Sequence, residues 1–374
     1  MRVIFTGGGT AGHINPALAI ADFFRDKHPD WEFRYVGNPD HMEYKLAKAA
    51  GYQFIGVKVK GFQRKLNFRN IKNNIEAAGL LLASDRKSKK ILRDFKPDIV
   101  IGTGGYVTGP IMNVAANMKI KTFTHEQNAY PGVTTRILSK KVTKVLLAVK
   151  EAEKYLDKNC NIEVTGNPIR KEILNMNKDQ ARKKLGVKNG AVCIVSFGGS
   201  LGARTINKAI AGLISKTYKS DNIHHIHAYG KFGSDEFPNF LKNNRINLNN
   251  IKNNGNIDIR EYINNMDECL AAADIVICRA GAITVSEIEA VGKASILIPS
   301  PNVSENHQYY NAKVLADKKA AVLIEEKDLK DEILYKEIMK LVNNSNYILE
   351  MEKKAKQLAI TDSCEKIYNI VMNS

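Results

Sequence analysis

The amino-acid sequence predicts an α/β protein of two Rossmann-like, doubly wound parallel-sheet domains. Short apolar strands alternate with helical periodicity from end to end, the pattern of parallel sheets covered on both faces. A glycine-rich turn, Thr6-Gly7-Gly8-Gly9-Thr10-Ala11-Gly12-His13, follows the strand Val3-Ile4-Phe5. A second, Gly198-Gly199-Ser200-Leu201-Gly202-Ala203, follows Val192–Phe197 about half a chain later. Glycine allows a sharp turn with exposed N–H groups, and the next helix adds partial positive charge at its N-terminus, so each turn suits an anionic ligand group. Two such turns imply two nucleotide-binding-type domains facing a shared cleft.

Taken in order, strands are expected at Val3–Thr6, Phe33–Val36, Phe54–Val59, Ile99–Gly102, Thr122–His125, Val145–Ala148 and Glu163–Thr165, with helices such as Asn15–Lys27 and Met42–Ala50 between them. Gly166-Asn167-Pro168 interrupts the strand pattern and reads as a hinge. The pattern restarts with strands at Val192–Phe197, His225–Ala228, Ile257–Glu261, Ile275–Cys278, Ser295–Pro299 and Ala321–Ile324. Helices are expected at Ala203–Lys216, Met266–Ala273, Thr284–Val291 and His307–Lys319. The asparagine-rich stretch Asn243–Asn256 reads as a loop excursion, and one terminal amphipathic segment runs from Tyr347 towards Met372.

At 374 residues the chain can bury two cores. Its cysteines, Cys160, Cys193, Cys269, Cys278 and Cys364, are odd in number and lack zinc-ligand spacing, which argues against a disulfide framework and for a reducing cytoplasm. The first strand begins at once, leaving no room for a signal peptide, and no apolar run reaches the roughly 20 residues that span a bilayer. Of the net charge of +17, Lys58–Lys96 carries the larger part, with twelve basic residues against three acidic ones. Within it Ala77-Ala78-Gly79-Leu80-Leu81-Leu82-Ala83 is apolar, so the stretch suits an anionic membrane surface; the plainer alternative is a solvated basic face. Few aromatics besides Phe62 and Phe68 lie there, and no recognition motif appears, which speaks against nucleic acid.

Gly7-x-Gly9-x-x-Gly12 fits a dinucleotide fingerprint, but the acid that should end the second strand is missing: Asp40 comes late, after Asn38-Pro39. His13 stands where a neutral imidazole can take a proton from a substrate hydroxyl, against a capping or packing role. His224-His225-Ile226-His227 lies in a strand pattern without ligand-spaced partners, so a metal is not expected there. Gly102–Pro110 forms a third glycine turn at a strand's carboxyl end, where open α/β sheets collect ligands, and should frame one pocket with Gly7–Gly12. His125-Glu126-Gln127-Asn128 ends the next strand as either site or capping turn. In the second half, Glu287 sits one turn into the helix after Ile275–Cys278 and suits the two donors of a ribose diol, unless it only complements the helix dipole. Asn306–Asn311 offers amides for sugar hydroxyls, and Arg170 a charge for a diphosphate.

With these motifs in place, the chain closely resembles the MurG glycosyltransferases of peptidoglycan synthesis. The likeness runs through Gly8–Ala17, Gly102–Pro110, His125–Asn128, Thr165–Arg170, Gly198–Ala203, Arg279–Glu287 and His307–Asn311. The resemblance implies the GT-B architecture. Residues 1–165 would bind the lipid-linked muramoyl-pentapeptide and the membrane, completed by the C-terminal segment 346–374, and residues 166–345 would bind UDP-N-acetylglucosamine. It also implies inverting transfer of N-acetylglucosamine to the lipid acceptor, with His13 as the base. On the donor, Glu287 would hold the ribose and Ile263 the uracil; Ser200, Leu201 and Arg170 would hold the diphosphate. Ala282, Gln308 and Asn311 would read the sugar, flanked by Ile283, Thr284 and His307, and Thr10, Gly12 and Asn128 would reach the donor as well. The acceptor would meet Gly9, Thr10, Ala11 and Gly12, then Gly104, Gly105 and Tyr106, then Glu126 and Asn128. Ala11 stands where glycine is common, and Leu201 and His307 where some members carry glutamine. No Asp-x-Asp motif is present, so no cofactor or essential divalent ion is implied. The implied setting is the cytoplasmic face of the inner membrane, peripheral, alongside other cell-wall synthesis or division proteins. The rivals are a UDP-N-acetylglucosamine epimerase, another GT-B glycolipid transferase and a non-catalytic nucleotide-sugar sensor.

Overall fold

Seven apolar runs of the first half become one wholly parallel sheet: β1 (Arg2–Thr6), β2 (Glu32–Gly37), β3 (Gln53–Gly56), β4 (Ile99–Gly102), β5 (Lys121–Glu126), β6 (Lys144–Leu147) and β7 (Ile162–Val164). The strand order is β3-β2-β1-β4-β5-β6-β7, which reverses direction between β1 and β4. The computed structural model describes residues 1–60, 68–246, 251 and 255–374; within the helix Phe68–Phe95 it describes side chains from residue 79 on, except 81. The alternation within β1 explains the two-sided core. Val3 and Phe5 join Phe24, Phe123 and Ile367 on one face, while Ile4 joins Val36, Leu92, Val100 and Ile111 on the other.

The second half repeats the design with β8 (Val192–Phe197), β9 (Ile223–Ala228), β10 (Ile257–Arg260), β11 (Ile275–Cys278), β12 (Ala294–Leu297) and β13 (Val322–Leu323), in the order β10-β9-β8-β11-β12-β13. Here too the strands are parallel, and the order reverses between β8 and β11. Val195 and Phe197 pack with Val276 and Cys278 on one face; Ile194 packs with Ile275 and Ile277 on the other.

Contacts divide the chain into one unit of Met1–Ile169 with Ile360–Ser374 and another of Arg170–Ala359. The sequence expectation set the boundaries at 165 and 345. The terminal segment is two helices, and only the second completes the first unit. In Ser345–Leu358, the side chains of Ile348, Met351 and Ala355 are buried in the second unit's core. Ser363–Met372 instead sends Ile367 and Val371 into the first, where the Tyr368 ring meets Phe24 and its hydroxyl lies 2.7 Å from His28 Nε2. The two apolar faces belong to different cores, so the helix must break at residues 359–362. β3 also stops at Gly56 rather than Val59, because its partner β2 ends at Gly37 and turns through Asn38-Pro39; the Asn38 amide then donates to Val59 O at 3.0 Å. Residues 247–250 and 252–254 of the 243–256 excursion lie outside the described residues, as do residues 61–67 of the basic stretch.

Candidate active site

In the first unit the turns after β1 and β4 meet backbone to backbone at the point where strand order reverses. Gly8 N–H donates to Gly104 O at 3.2 Å, and a Cβ added at Gly105, where φ is +87°, would fall 2.2 Å from Gly8 O. Gly7 is equally constrained, by Thr103 Oγ1 at 2.2 Å from its would-be Cβ. That hydroxyl donates to His13 O at 2.6 Å. Gly9 differs: its φ of +83° needs glycine, yet nothing stands within 4 Å of a Cβ there, so the turn is open on that side. The two glycine turns expected to frame one pocket are therefore joined.

His13 lies in the first turn of the helix Ala11–Lys27, half-buried. Its Nδ1 is 3.2 Å from Gly8 O and 3.3 Å from Thr10 Oγ1. A carbonyl oxygen only accepts, so Nδ1 carries the proton and the neutral ring keeps its lone pair on Nε2. Gly104 permits this placement, since a Cβ there would sit 3.0 Å from His13 Cδ2 and 3.3 Å from Nε2. Tyr106 is exposed on the same loop.

Glu126 follows the capping alternative in its geometry. Only 3% exposed, it accepts Asn128 N–H and the Asn128 side-chain amide, each at 3.1 Å, through Oε1, and Gly132 N–H at 2.9 Å through Oε2. It shapes the loop that carries Asn128. The loop is tied back to the glycine turn by Thr134 Oγ1, 3.4 Å from Gly105 O. His125 is wholly buried, donates from Nε2 to Gly166 O at 2.9 Å and accepts the Gln127 amide at Nδ1, also at 2.9 Å. Burial pushes its pKa down, so it stays neutral.

The second unit's turn is built the same way. Gly202, at φ +84°, lies so close to Tyr229 O that a Cβ would approach to 2.1 Å, while Gly199, at φ +92°, faces open space. Ser200 and Leu201 are exposed just before the helix Arg204–Thr217, and their carbonyls accept Lys231 N–H and Phe232 N–H at 3.2 and 3.0 Å. Glu287 is buried at 6% in the helix Ala282–Val291 and accepts from Arg170 Nε at 2.8 Å. Ala282, Ile283 and Thr284 form that helix's first turn. Asn311 donates to Ala280 O at 3.1 Å, Gln308 Oε1 accepts Ser300 N–H at 2.9 Å, and His307 Nδ1 faces Ser304 O at 2.8 Å. Ile263 is buried beside exposed Tyr262. Thr10, Gly12 and Asn128 belong to the first unit, the other expected donor residues to the second.

His225 and His227 share Ser196 Oγ, at 2.8 Å from each, inside the second sheet. Among the described residues, no group of three His, Cys, Asp or Glu side chains is placed to hold a metal ion. Sequence reasoning missed Glu43, 1% exposed, whose carboxylate accepts Gly9 N–H at 3.2 Å and Asn38 N–H at 3.1 Å. The available signal was an acid in the first turn of the helix that follows β2, at the same sheet edge as the glycine turn.

Residues 3–147 match the glycosyltransferase family 28 N-terminal domain and residues 193–367 its C-terminal domain. An Acetivibrio thermocellus protein named UDP-N-acetylglucosamine–N-acetylmuramyl-(pentapeptide) pyrophosphoryl-undecaprenol N-acetylglucosamine transferase is 45% identical over 372 residues, 99% of this chain and 97% of that one. A Clostridioides difficile protein of the same name is 40% identical over 100% of this chain and 88% of that one. The crystal structure of Acinetobacter baumannii MurG superposes with a TM-score of 0.80 at 25% identity, covering 100% and 99% of the two chains. A UDP-GlcNAc 2-epimerase from Neisseria meningitidis, at TM-score 0.66 and 13% identity over the whole of both chains, shares the fold alone.

Proposed function

We infer the working of each unit from a fixed premise: the chain belongs to the MurG glycosyltransferases of family 28, with the GT-B-like fold. It transfers N-acetylglucosamine from UDP-N-acetylglucosamine to the muramoyl-pentapeptide on undecaprenyl pyrophosphate, the lipid I to lipid II step of peptidoglycan synthesis. In our reading the first unit holds the acceptor at Gly9–Gly12, Gly104–Tyr106 and Asn128, with Glu126 positioning that asparagine. The observation that carries the mechanism is the His13 ring, whose Nδ1–H is held by Gly8 O so that Nε2 is the basic atom. Nε2 takes the proton of a muramoyl hydroxyl as its oxygen attacks the anomeric carbon. The bond from that carbon to UDP breaks, its electron pair goes to the diphosphate, and the configuration inverts.

The second unit binds the donor. Glu287 takes the ribose diol, backbone at Ile263 the uracil, and Gln308 and Asn311 the sugar, with Ala282–Thr284 and His307 around them. Charge growing on the diphosphate is met by the exposed turn Gly199–Leu201, the N-terminus of Arg204–Thr217 and, once the donor is bound, Arg170. Because these groups carry the stabilisation, a divalent ion is not required. Incubation with labelled UDP-N-acetylglucosamine and a muramoyl-pentapeptide lipid analogue is expected to give inverted glycolipid plus UDP, with or without EDTA. Release of free N-acetylmannosamine instead, or loss of transfer in EDTA, counts against this reading.

The basic helix points to where the acceptor is met. Ser84, Ser88, Ile91, Leu92 and Phe95 are buried at helical spacing, whereas Leu82, 67% exposed, shares the outer side with Arg86, Lys87, Lys89, Lys90 and Arg93. Among the described residues no helix is long and apolar enough to cross a membrane. We propose that this side rests on the anionic cytoplasmic leaflet, each cation near the surface contributing about 1 kcal/mol. Sedimentation with phosphatidylglycerol vesicles should therefore carry the protein down at low salt and release it at high salt; equal sedimentation with neutral vesicles would refute the charge contribution.

A further inference from the structure

We propose that Arg170 and Glu287 form a latch that only an intact nucleoside diphosphate opens without loss, so the pair selects the whole UDP group over its parts. The inference rests on the ribose role proposed above for Glu287. Arg170 Nε donates to Glu287 Oε1 at 2.8 Å; the carboxylate side chain is 8% exposed and the guanidinium 51%. The two residues lie 117 positions apart, one opening the second unit and the other one turn into the helix Ala282–Val291. A carboxylate this buried cannot be left without donors. Here the guanidinium supplies one.

A ribose diol brings two O–H donors and can take over the carboxylate, but it must first displace Arg170. A ligand that ends at the nucleoside leaves the displaced guanidinium only water and the more distant charge of Asp267. Pyrophosphate alone attracts Arg170 but offers nothing to Glu287, which would then stay buried and unpaired. UDP satisfies both at once: the diol replaces Arg170 on Glu287, and the released cation moves to the diphosphate oxygens, a charge-assisted and bidentate-capable contact. Affinity for the nucleoside and for the phosphates is thereby coupled through the one ion pair that the ribose must displace.

Calorimetric titration of wild-type, Arg170→Ala and Glu287→Gln with uridine and with UDP tests the latch. Arg170→Ala should bind uridine about 2- to 10-fold tighter than wild-type, because no ion pair opposes the ribose, yet bind UDP at least about 10-fold more weakly. Arg170→Lys should recover part of the UDP affinity. Opposite changes for two ligands of one site cannot come from a general loss of structure. If Arg170→Ala binds uridine no better than wild-type while Glu287→Gln binds it worse, the latch is overturned and the ribose role stands. If Glu287→Gln leaves uridine affinity unchanged, the ribose role itself fails. In unmodified protein, the Arg170 Nε–H proton should exchange slowly with water in the empty site, quickly with uridine bound and slowly again with UDP; unchanged slow exchange with uridine overturns the latch without any variant.

Discussion

His13→Ala is expected to lower turnover by roughly 10²- to 10⁴-fold, the range for loss of a positioned general base. On the free-energy scale this is about 3 to 5 kcal/mol of barrier. The loss should fall on kcat, because the groups assigned to the ribose, the uracil and most of the diphosphate lie in the second unit. The helix start should survive, since Thr10 O accepts His13 N–H and Ile14 N–H from backbone atoms that alanine keeps. His13→Gln keeps a polar side chain but no base and should be nearly as slow. Steady-state kinetics with the lipid analogue, alongside UDP binding by calorimetry, separates the two effects. Wild-type turnover in His13→Ala would remove the residue from the chemistry, and a parallel collapse of UDP affinity would recast it as a donor ligand.

Acid should loosen the second unit well before its carboxylates titrate. His225 and His227 are wholly buried, and burial pushes both rings down, His227 to about 3. Ser196 Oγ occupies His225 Nε2 and His227 Nδ1, while His225 Nδ1 and His227 Nε2 have no hydrogen-bond partner. Protonation would place a further N–H donor where no acceptor stands. The unfolded chain takes up these protons below a pKa of about 6.5, so it binds more protons than the folded one. Stability is therefore full above that pH and falls as pH drops, the His227 ring alone removing about 2 kcal/mol by pH 5 and the His225 ring acting in the same direction. Hydrogen exchange of β8 and β9 amides, corrected for intrinsic rates, should show this loss between pH 7 and pH 5. His227→Asn, whose amide can face Ser196 as Nδ1 does, should make the loss smaller by about 2 kcal/mol at pH 5. Equal protection at both pH values, or a wild-type pH slope in His227→Asn, would defeat the argument.

The fold was legible because its signals are local. Four-to-six-residue apolar runs and the glycine turns after β1, β4 and β8 each depend on neighbours in sequence, and β4, β8 and β11 begin and end where their residues predict. The site was legible in part for the same reason: Gly7–His13 and Gly102–Pro110 sit at carboxyl ends of adjacent strands, so finding the strands finds the turns. What escaped depends on distant partners. Glu43 reaches Gly9 across 34 positions, and Glu126 proves to be tied into its own loop, which composition could not separate from a ligand contact. Lys293 carries no local signal, yet it is 5% exposed and caps Ala271 O and Ala273 O at 2.9 and 2.7 Å, with burial lowering its pKa to about 8. The break at residues 359–362 was invisible because both terminal helices are amphipathic and only their destinations differ.

The return of residues 360–374 makes the second unit an insertion within the first. Ser363 Oγ donates to Gly166 O at 2.9 Å, and Ile367 and Val371 fill a core whose other buried members all precede residue 147. A nascent chain can finish the inserted unit while the surrounding one still lacks its last helix. Until residues 363–372 are made, the apolar face around Phe24 stays uncovered, so a chain cut near residue 360 would leave a closed nucleotide-fold unit joined to an aggregation-prone remnant.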